Sequence, residues 1–180
     1  MTGLVAFTVL VALVGVERLA ELVVSTRNAA WSMERGGVES GRGHYPFMVV
    51  LHTGLLVGAL VEAWVRRPDV PSVLAWSMLA LVVASQALRW WCISTLGRRW
   101  NTRVIVVPGL APVTGGPYRV LRHPNYVAVV VEGVALPLVH AGWVTALVFT
   151  VLNAGLLTVR IRAEDRALAT LPAAAGAARA

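Results

Sequence analysis

The sequence predicts an all-α integral membrane protein with about five transmembrane helices. Of its 180 residues, 57% are hydrophobic and 14% are charged, and the mean hydropathy is +0.70. A soluble domain of this length cannot bury so much apolar surface in one core. The apolar residues also form blocks of about 20 residues, the length that crosses a bilayer as a helix. We therefore expect residues 1–180 to form a single membrane domain, with the lipid bilayer as its first partner.

Five apolar blocks follow one another along the chain. They cover about residues 3–24, 46–65, 72–96, 126–139 and 142–159, and the fourth is short. The first block opens without a basic segment, and no small-residue cleavage site follows it. This pattern favours a first transmembrane helix over a cleaved signal peptide. Its charges, Glu17, Arg18 and Glu21, come near its end and are expected at the membrane interface.

The basic residues predict the orientation. The chain has 16 arginines and no lysine. Twelve of them fall between blocks one and two, between blocks three and four, or after block five: Arg27, Arg35, Arg42, Arg98, Arg99, Arg103, Arg119, Arg122, Arg160, Arg162, Arg166 and Arg179. The positive-inside rule places these segments and the C-terminus in the cytoplasm and the N-terminus outside, in a bacterial inner membrane. Since topology explains the net charge of +7, no nucleic-acid partner is predicted.

The segments between the blocks carry weaker signals. Residues 36–43 are rich in glycine but follow no predicted strand, so they indicate a flexible loop and not a dinucleotide-binding turn. Residues 102–107 are rich in β-branched residues and precede Pro108-Gly109, which predicts a short hairpin or loop on the cytoplasmic face. Cys92 is the only cysteine, so neither a disulfide nor a thiolate metal site is predicted.

The polar residues 115–126 at the start of the fourth block are the strongest functional signal. Pro124 suits the first turn of a helix, where a missing N–H costs nothing. The free N–H groups of that turn, with Arg122 and His123 beside them, would bind an anionic group such as a carboxylate. The alternative is a belt of Arg, His and Tyr side chains that anchors the helix at the interface. The residues alone leave both interpretations open.

A second charged segment, residues 160–168, continues the fifth block. On a helix, Arg160 and Glu164 share one face, as do Arg162 and Arg166. The segment is either a solvated extension with ordinary ion pairs or the far wall of the same site. In the second case, Glu164 would accept hydrogen bonds from a ribose or an amine.

Glu132 lies within the fourth block, where a charge costs about 2.5–3.5 kcal/mol on insertion scales. It must therefore be neutral, paired or exposed to a polar cavity, and its expected partners are Arg89 or His52. It is either half of a structural pair with Arg89 or a general base toward a substrate hydroxyl.

Three motifs in the second half of the chain resemble a known family. They are Gly116-Pro117-Tyr118, Arg122-His123-Pro124-Asn125-Tyr126 and Glu164-Asp165-Arg166-Ala167-Leu168. Together they resemble the isoprenylcysteine carboxyl methyltransferase family over about residues 96–168. Two features depart from the pattern: Asp165 stands where the family often has a second glutamate, and the Ala-rich tail from Pro172 lacks the aromatic residues of many relatives.

The resemblance implies a multi-span enzyme that binds S-adenosylmethionine at the cytoplasmic face without a Rossmann domain. The cofactor-binding residues implied for this chain are Tyr118, Arg122, His123, Pro124, Tyr126, Arg160 and Glu164. Glu132 and Arg89 are the candidate catalytic residues, and no metal is implied. The implied reaction is methyl transfer to an oxygen of a lipophilic small molecule, because bacterial relatives resemble methylases of phenolic lipids and alkylpyrones.

Two other functions remain possible from the sequence. A sterol-reductase-like NADPH enzyme shares the Arg-His-Pro-Asn-Tyr run, but its Gly-Glu pair is replaced here by Ala128 and Val129. A non-catalytic membrane scaffold would not need the polar cluster and Glu164 together. The sequence predicts neither the methyl acceptor nor the oligomeric state.

Overall fold

A computed structural model describes residues 2–171, which form five α-helices and one two-stranded sheet. The elements are α1 (Thr2–Met33), β1 (Val38–Ser40), α2 (Tyr45–Arg66), α3 (Ser72–Leu96), β2 (Val104–Val106), α4 (Pro124–Leu138) and α5 (Trp143–Leu168). The Ala-rich tail singled out above, with Arg179, lies outside the described residues.

For α2 and α3, the helix bounds agree closely with the apolar blocks of the sequence. α3 begins at Ser72 and ends at Leu96, as predicted, and α2 differs by one residue at each end. α1 and α5 instead continue well past their apolar blocks, to Met33 and Leu168. These extensions leave the apolar layer and pack against protein, so hydropathy alone gives no signal for them.

Four helices, α1, α2, α3 and α5, are long and apolar enough to cross a membrane. α4 has 15 residues and is about 22 Å long, which is less than the roughly 30 Å of a hydrocarbon core. Most of its residues are buried, because α4 packs against α2, α3 and α5. The prediction of a multi-pass helical protein is thus confirmed, and four of the about five predicted spans are long enough to cross a membrane. The fifth helix, α4, is shorter and is packed among the others.

The loop at one end of α4 is held by a carboxylate from α2. Glu62 accepts hydrogen bonds from the backbone N–H groups of Val144 and Thr145, at 3.1 and 2.8 Å, and from the Thr145 hydroxyl at 2.8 Å. An acidic group at a helix N-terminus satisfies free N–H groups and opposes the helix dipole. Glu62 therefore fixes the start of α5 on the end of α2.

The sheet at the other end of the bundle was not predicted. β1 pairs antiparallel with β2, with Val38 opposite Val106 and Ser40 opposite Val104. The prediction of a flexible loop over residues 36–43 is therefore wrong, and the strand in residues 102–107 does not form a local hairpin. Three-residue strands have little sequence signal, and the two strands are far apart in the chain.

This sheet joins the arginine-rich segments. α5 contacts both strands, and α1 contacts β2 and the turn Gly97–Arg99. The segments between α1 and α2 and between α3 and α4 therefore lie together with the last turns of α5, as the charge distribution predicted. We call this the sheet end of the bundle.

Candidate active site

A network of polar side chains joins α4 to α5 at the sheet end. The Tyr126 hydroxyl donates to Glu164 Oε2 and accepts from Arg160 Nε at 2.9 Å. Both Tyr126 and Arg160 are buried, and the Arg160 guanidinium lies 5.6 Å from the centre of the Tyr126 ring. One phenol at the start of α4 thus connects a guanidinium and a carboxylate of residues 160–168.

His123 extends this network across the start of α4. Its Nε2 lies 3.1 Å from Asp165 Oδ1, and its Nδ1 lies 3.8 Å from Glu164 Oε1. Its ring stacks on the Tyr126 ring, and the two ring centroids lie 5.4 Å apart. Asp165 also pairs with Arg122 at 3.0 Å. Asp165, which the sequence marked only as a departure from the family pattern, therefore orients His123.

A cavity of about 140 Å³ opens beside the network and is called the first cavity. Five of the seven predicted cofactor-binding residues line it: Tyr118, His123, Tyr126, Arg160 and Glu164. The other two do not: Pro124 is fully buried, and the Arg122 side chain is 75% exposed in its pair with Asp165. Burial raises the pKa of the Tyr118 hydroxyl well above its ordinary value near 10, so this group keeps its proton.

A second, more apolar cavity of about 360 Å³ lies between α1, α2 and α5, at the depth of the apolar blocks. Its volume falls in the range of small-molecule sites. Aliphatic side chains form much of its wall: Leu19, Leu22, Val49, Leu56, Val57, Val129, Leu156 and Leu157. The sequence did not predict the second cavity, because the cavity forms between helices that are distant from one another in the chain.

The two cavities share a wall, which we call the junction. Its residues are Trp100, Asn101, Asn125, Tyr126 and Arg160. Three buried atoms there, Trp100 Nε1, Asn101 Nδ2 and Asn125 Oδ1, have no hydrogen-bond partner among the described residues. Buried polar groups without partners are uncommon in folded proteins. The junction therefore offers two donors and one acceptor to a bound molecule.

Glu132 lies deeper in the bundle, in a buried cluster of charges. Its Oε2 accepts from Arg89 Nη2 at 2.6 Å and from Arg18 Nη2 at 3.0 Å. The predicted pair with Arg89 is present. His52, the other predicted partner, instead donates from Nδ1 to the Met48 carbonyl at 2.8 Å. Whether Glu132 also acts as a base stays a prediction.

Two further members of this cluster come from α1. Glu21 is only 3% exposed; its Oε2 accepts from Arg18 Nη1 at 2.6 Å, and its Oε1 lies 3.6 Å from Arg89 Nε. The prediction of an interfacial position is therefore wrong for Arg18 and Glu21, because α1 continues past them and packs this face on the bundle. A signal was present in the sequence: polar residues recur at helical spacing along α1, at Arg18, Glu21, Ser25, Asn28 and Ser32.

The chain belongs to the isoprenylcysteine carboxyl methyltransferase family, whose model matches residues 78–170. Membership identifies it as a membrane methyltransferase. It is 37% identical to the uncharacterized protein YpbQ of Bacillus subtilis, over 90% of this chain and 96% of that protein. It is 24% identical to an uncharacterized protein of Haemophilus influenzae, over 86% of this chain and 90% of that one. No solved structure matches the chain with significance.

Proposed function

We propose that the protein is an S-adenosylmethionine-dependent O-methyltransferase that acts on a lipophilic small molecule. The observation that carries the proposal is a pair of cavities that meet at the junction: one at the sheet end, with charged and hydroxyl-bearing side chains in its wall, and a more apolar one between the helices. A water-soluble methyl donor and a lipid-soluble acceptor need two such compartments with a common wall.

The residues of the first cavity fit S-adenosylmethionine. His123 and Arg160 supply donors for its carboxylate, and Glu164 supplies an acceptor for its amine or ribose hydroxyls. When bound, S-adenosylmethionine supplies the methyl group: the acceptor oxygen bonds to the methyl carbon, the carbon–sulfur bond breaks, and S-adenosylhomocysteine leaves. The Tyr126 hydroxyl is hydrogen-bonded to both Arg160 and Glu164, so it keeps the guanidinium and the carboxylate at a fixed distance from each other.

The second cavity fits the acceptor. Its aliphatic wall would hold a hydrocarbon chain, while the unpartnered polar atoms of the junction would orient an oxygen-bearing head. Methyl transfer of this kind depends on alignment in a site from which water is excluded. Phenolic lipids, alkylpyrone-like polyketides and isoprenoid carboxylates all have a chain and head of this kind. Arg89 lines this cavity, and Glu132 holds its guanidinium in place.

The proposed orientation puts the sheet end in the cytoplasm, where S-adenosylmethionine is available. The arginine-rich segments meet there, and the positive-inside rule favours that side. With the end of α5 cytoplasmic and five helices alternating, the N-terminus lies outside the inner membrane.

The experiment is a transfer assay with the purified protein in detergent and methyl-labelled S-adenosylmethionine. The acceptors are pentadecylresorcinol, a phenolic lipid, and farnesylated cysteine, a carboxyl acceptor. We expect label in the organic extract with at least one acceptor, and none with the Glu164→Ala protein. Oxidation of NADPH by the protein, with no label in either acceptor, would contradict the proposal and favour a reductase.

A further inference from the structure

Among the carboxylates of the buried cluster, Glu21 alone lines the second cavity. Arg18, Glu21 and Arg89 face the cavity, and Glu132 lies behind the two arginines. The Oε1 atom of Glu21 is buried and has no hydrogen-bond partner among the described residues, while Oε2 is bound by Arg18. Glu21 therefore lines a cavity with a mainly aliphatic wall, and its Oε1 has only the 3.6 Å ion-pair contact with Arg89 and no hydrogen bond among the described residues.

Glu21 also lies close to the junction. It is one helical turn, about 6 Å, from Ser25 on the same face of α1. The Ser25 hydroxyl lies 3.4 Å from Asn101 Oδ1 and 2.8 Å from Thr102 Oγ1. Asn101 lines both cavities. Glu21 and the junction therefore lie on neighbouring parts of the wall of the second cavity, so one bound molecule can contact both.

The charges of the cluster suit the uptake of one proton. Glu17, Glu21 and Glu132 carry three negative charges when ionised, against two positive charges on Arg18 and Arg89. Binding one proton therefore makes the group neutral, which a buried site at membrane depth favours. The other titratable or charged side chains that face the cavity are Tyr45, His52, Tyr126 and Arg160.

Of those four side chains His52 is the rival base, because its Nε2 keeps a lone pair while its Nδ1–H is bound; if His52→Gln, and not Glu21→Gln, shows the pH-dependent loss, the assignment to Glu21 fails. The Nδ1–H of His52 is bound to the Met48 carbonyl, and its ring packs edge-on against Phe149. The Tyr126 hydroxyl is bound to Arg160 and Glu164. Glu21 is thus the one carboxylate among the described residues of the cavity wall, and its Oε1 is the oxygen without a hydrogen bond.

We propose that Glu21 is the general base and that the acceptor is therefore a hydroxyl compound, such as a phenol or an enol, and not a carboxylate. This inference rests on the proposed methyltransferase function. The hydrogen of the acceptor hydroxyl moves to Glu21 Oε1, the O–H electron pair stays on the oxygen, and that pair forms the bond to the methyl carbon. A carboxylate acceptor is already ionised at neutral pH and needs no base.

The test compares Glu21→Gln with wild type on pentadecylresorcinol between pH 7 and pH 9. A general base contributes about 10²–10⁴-fold, so we expect a loss of that size at pH 7. The loss should shrink about tenfold per pH unit, because the phenol, with a pKa near 10, ionises without a base. Glu34→Gln makes the same change at an exposed glutamate just after α1, outside both the cavity wall and the buried cluster, and should retain the wild-type profile.

Cofactor binding separates this inference from the proposed function. If wild type binds S-adenosylmethionine and methylates the phenol, but Glu21→Gln is fully active at pH 7 or equally impaired at every pH, the base assignment fails alone. If wild type methylates only farnesylated cysteine, the hydroxyl acceptor is wrong. If wild type does neither, the proposed function fails.

A second readout needs no cofactor and no turnover. Infrared difference spectra, taken when the phenol is added to the protein without S-adenosylmethionine, should show a shifted carboxyl band in wild type and in Glu132→Gln. Glu21→Gln should lack this band, and its presence there would overturn the assignment. If Glu21→Gln does not fold, Glu21→Asp serves instead, because its shorter carboxylate should keep the band and lower the rate most at pH 7.

Discussion

Replacing Tyr126 with phenylalanine tests the network that shapes the first cavity. The change removes the hydroxyl that joins Arg160 to Glu164 and keeps the ring that stacks on His123. Because Arg160 is buried, its Nε–H would lose its partner in a place that water reaches poorly. A hydrogen bond to a charged group contributes about 1.5–3 kcal/mol. At 1.4 kcal/mol per tenfold, the Kd for S-adenosylmethionine should rise by about 10- to 100-fold.

Equilibrium dialysis of the purified protein with radiolabelled S-adenosylmethionine measures this change. The control is Tyr45→Phe, since Tyr45 lines the second cavity and not the first, and the change keeps the ring that packs against Arg103. The control should bind the cofactor as wild type does. Wild-type affinity in a folded Tyr126→Phe protein would refute the argument that this hydroxyl organises the site.

Three other predictions follow from the fold. Glu132→Gln should destabilise the protein by about 3–5 kcal/mol, since it breaks a buried ion pair, and activity should follow the folded fraction; a stable variant that recovers activity with rising pH would make Glu132 the base. Gly133→Ala should cost about 1–3 kcal/mol, seen as a lower Tm, because a Cβ there overlaps the buried Phe149 ring, whereas Gly155→Ala should leave the Tm unchanged. A reporter fused to the C-terminus should be active only in the cytoplasm, and activity only outside it would reverse the topology.

The sequence predicts best where one residue constrains the structure by itself. Pro124 after a polar run marks the start of α4, and the structure begins that helix there. A carboxylate within an apolar block must find a cation, and Glu132 does pair with Arg89. The last turns of α5 carry Arg160 and Glu164 on one face, and the structure places both beside Tyr126.

The sequence predicts poorly where two distant segments create the feature together. β1 and β2 are too short to be recognised separately and are stabilised by pairing with each other and packing on α5. Arg18 and Glu21 look interfacial because their apolar block ends soon after them, yet α1 continues to Met33. The second cavity depends on how α1, α2 and α5 pack, which no local pattern describes.

The most direct measurement of the central claim is the binding of radiolabelled S-adenosylmethionine to the purified protein, with unlabelled NADPH as a competitor. The account predicts saturable binding that NADPH does not displace. It also predicts weaker binding in His123→Ala and in Glu164→Ala, two variants that remove side chains from α4's entrance and from α5 in the wall of the first cavity while leaving the protein extractable in detergent. Absence of binding in wild type, displacement by NADPH, or unchanged affinity in both variants would contradict it.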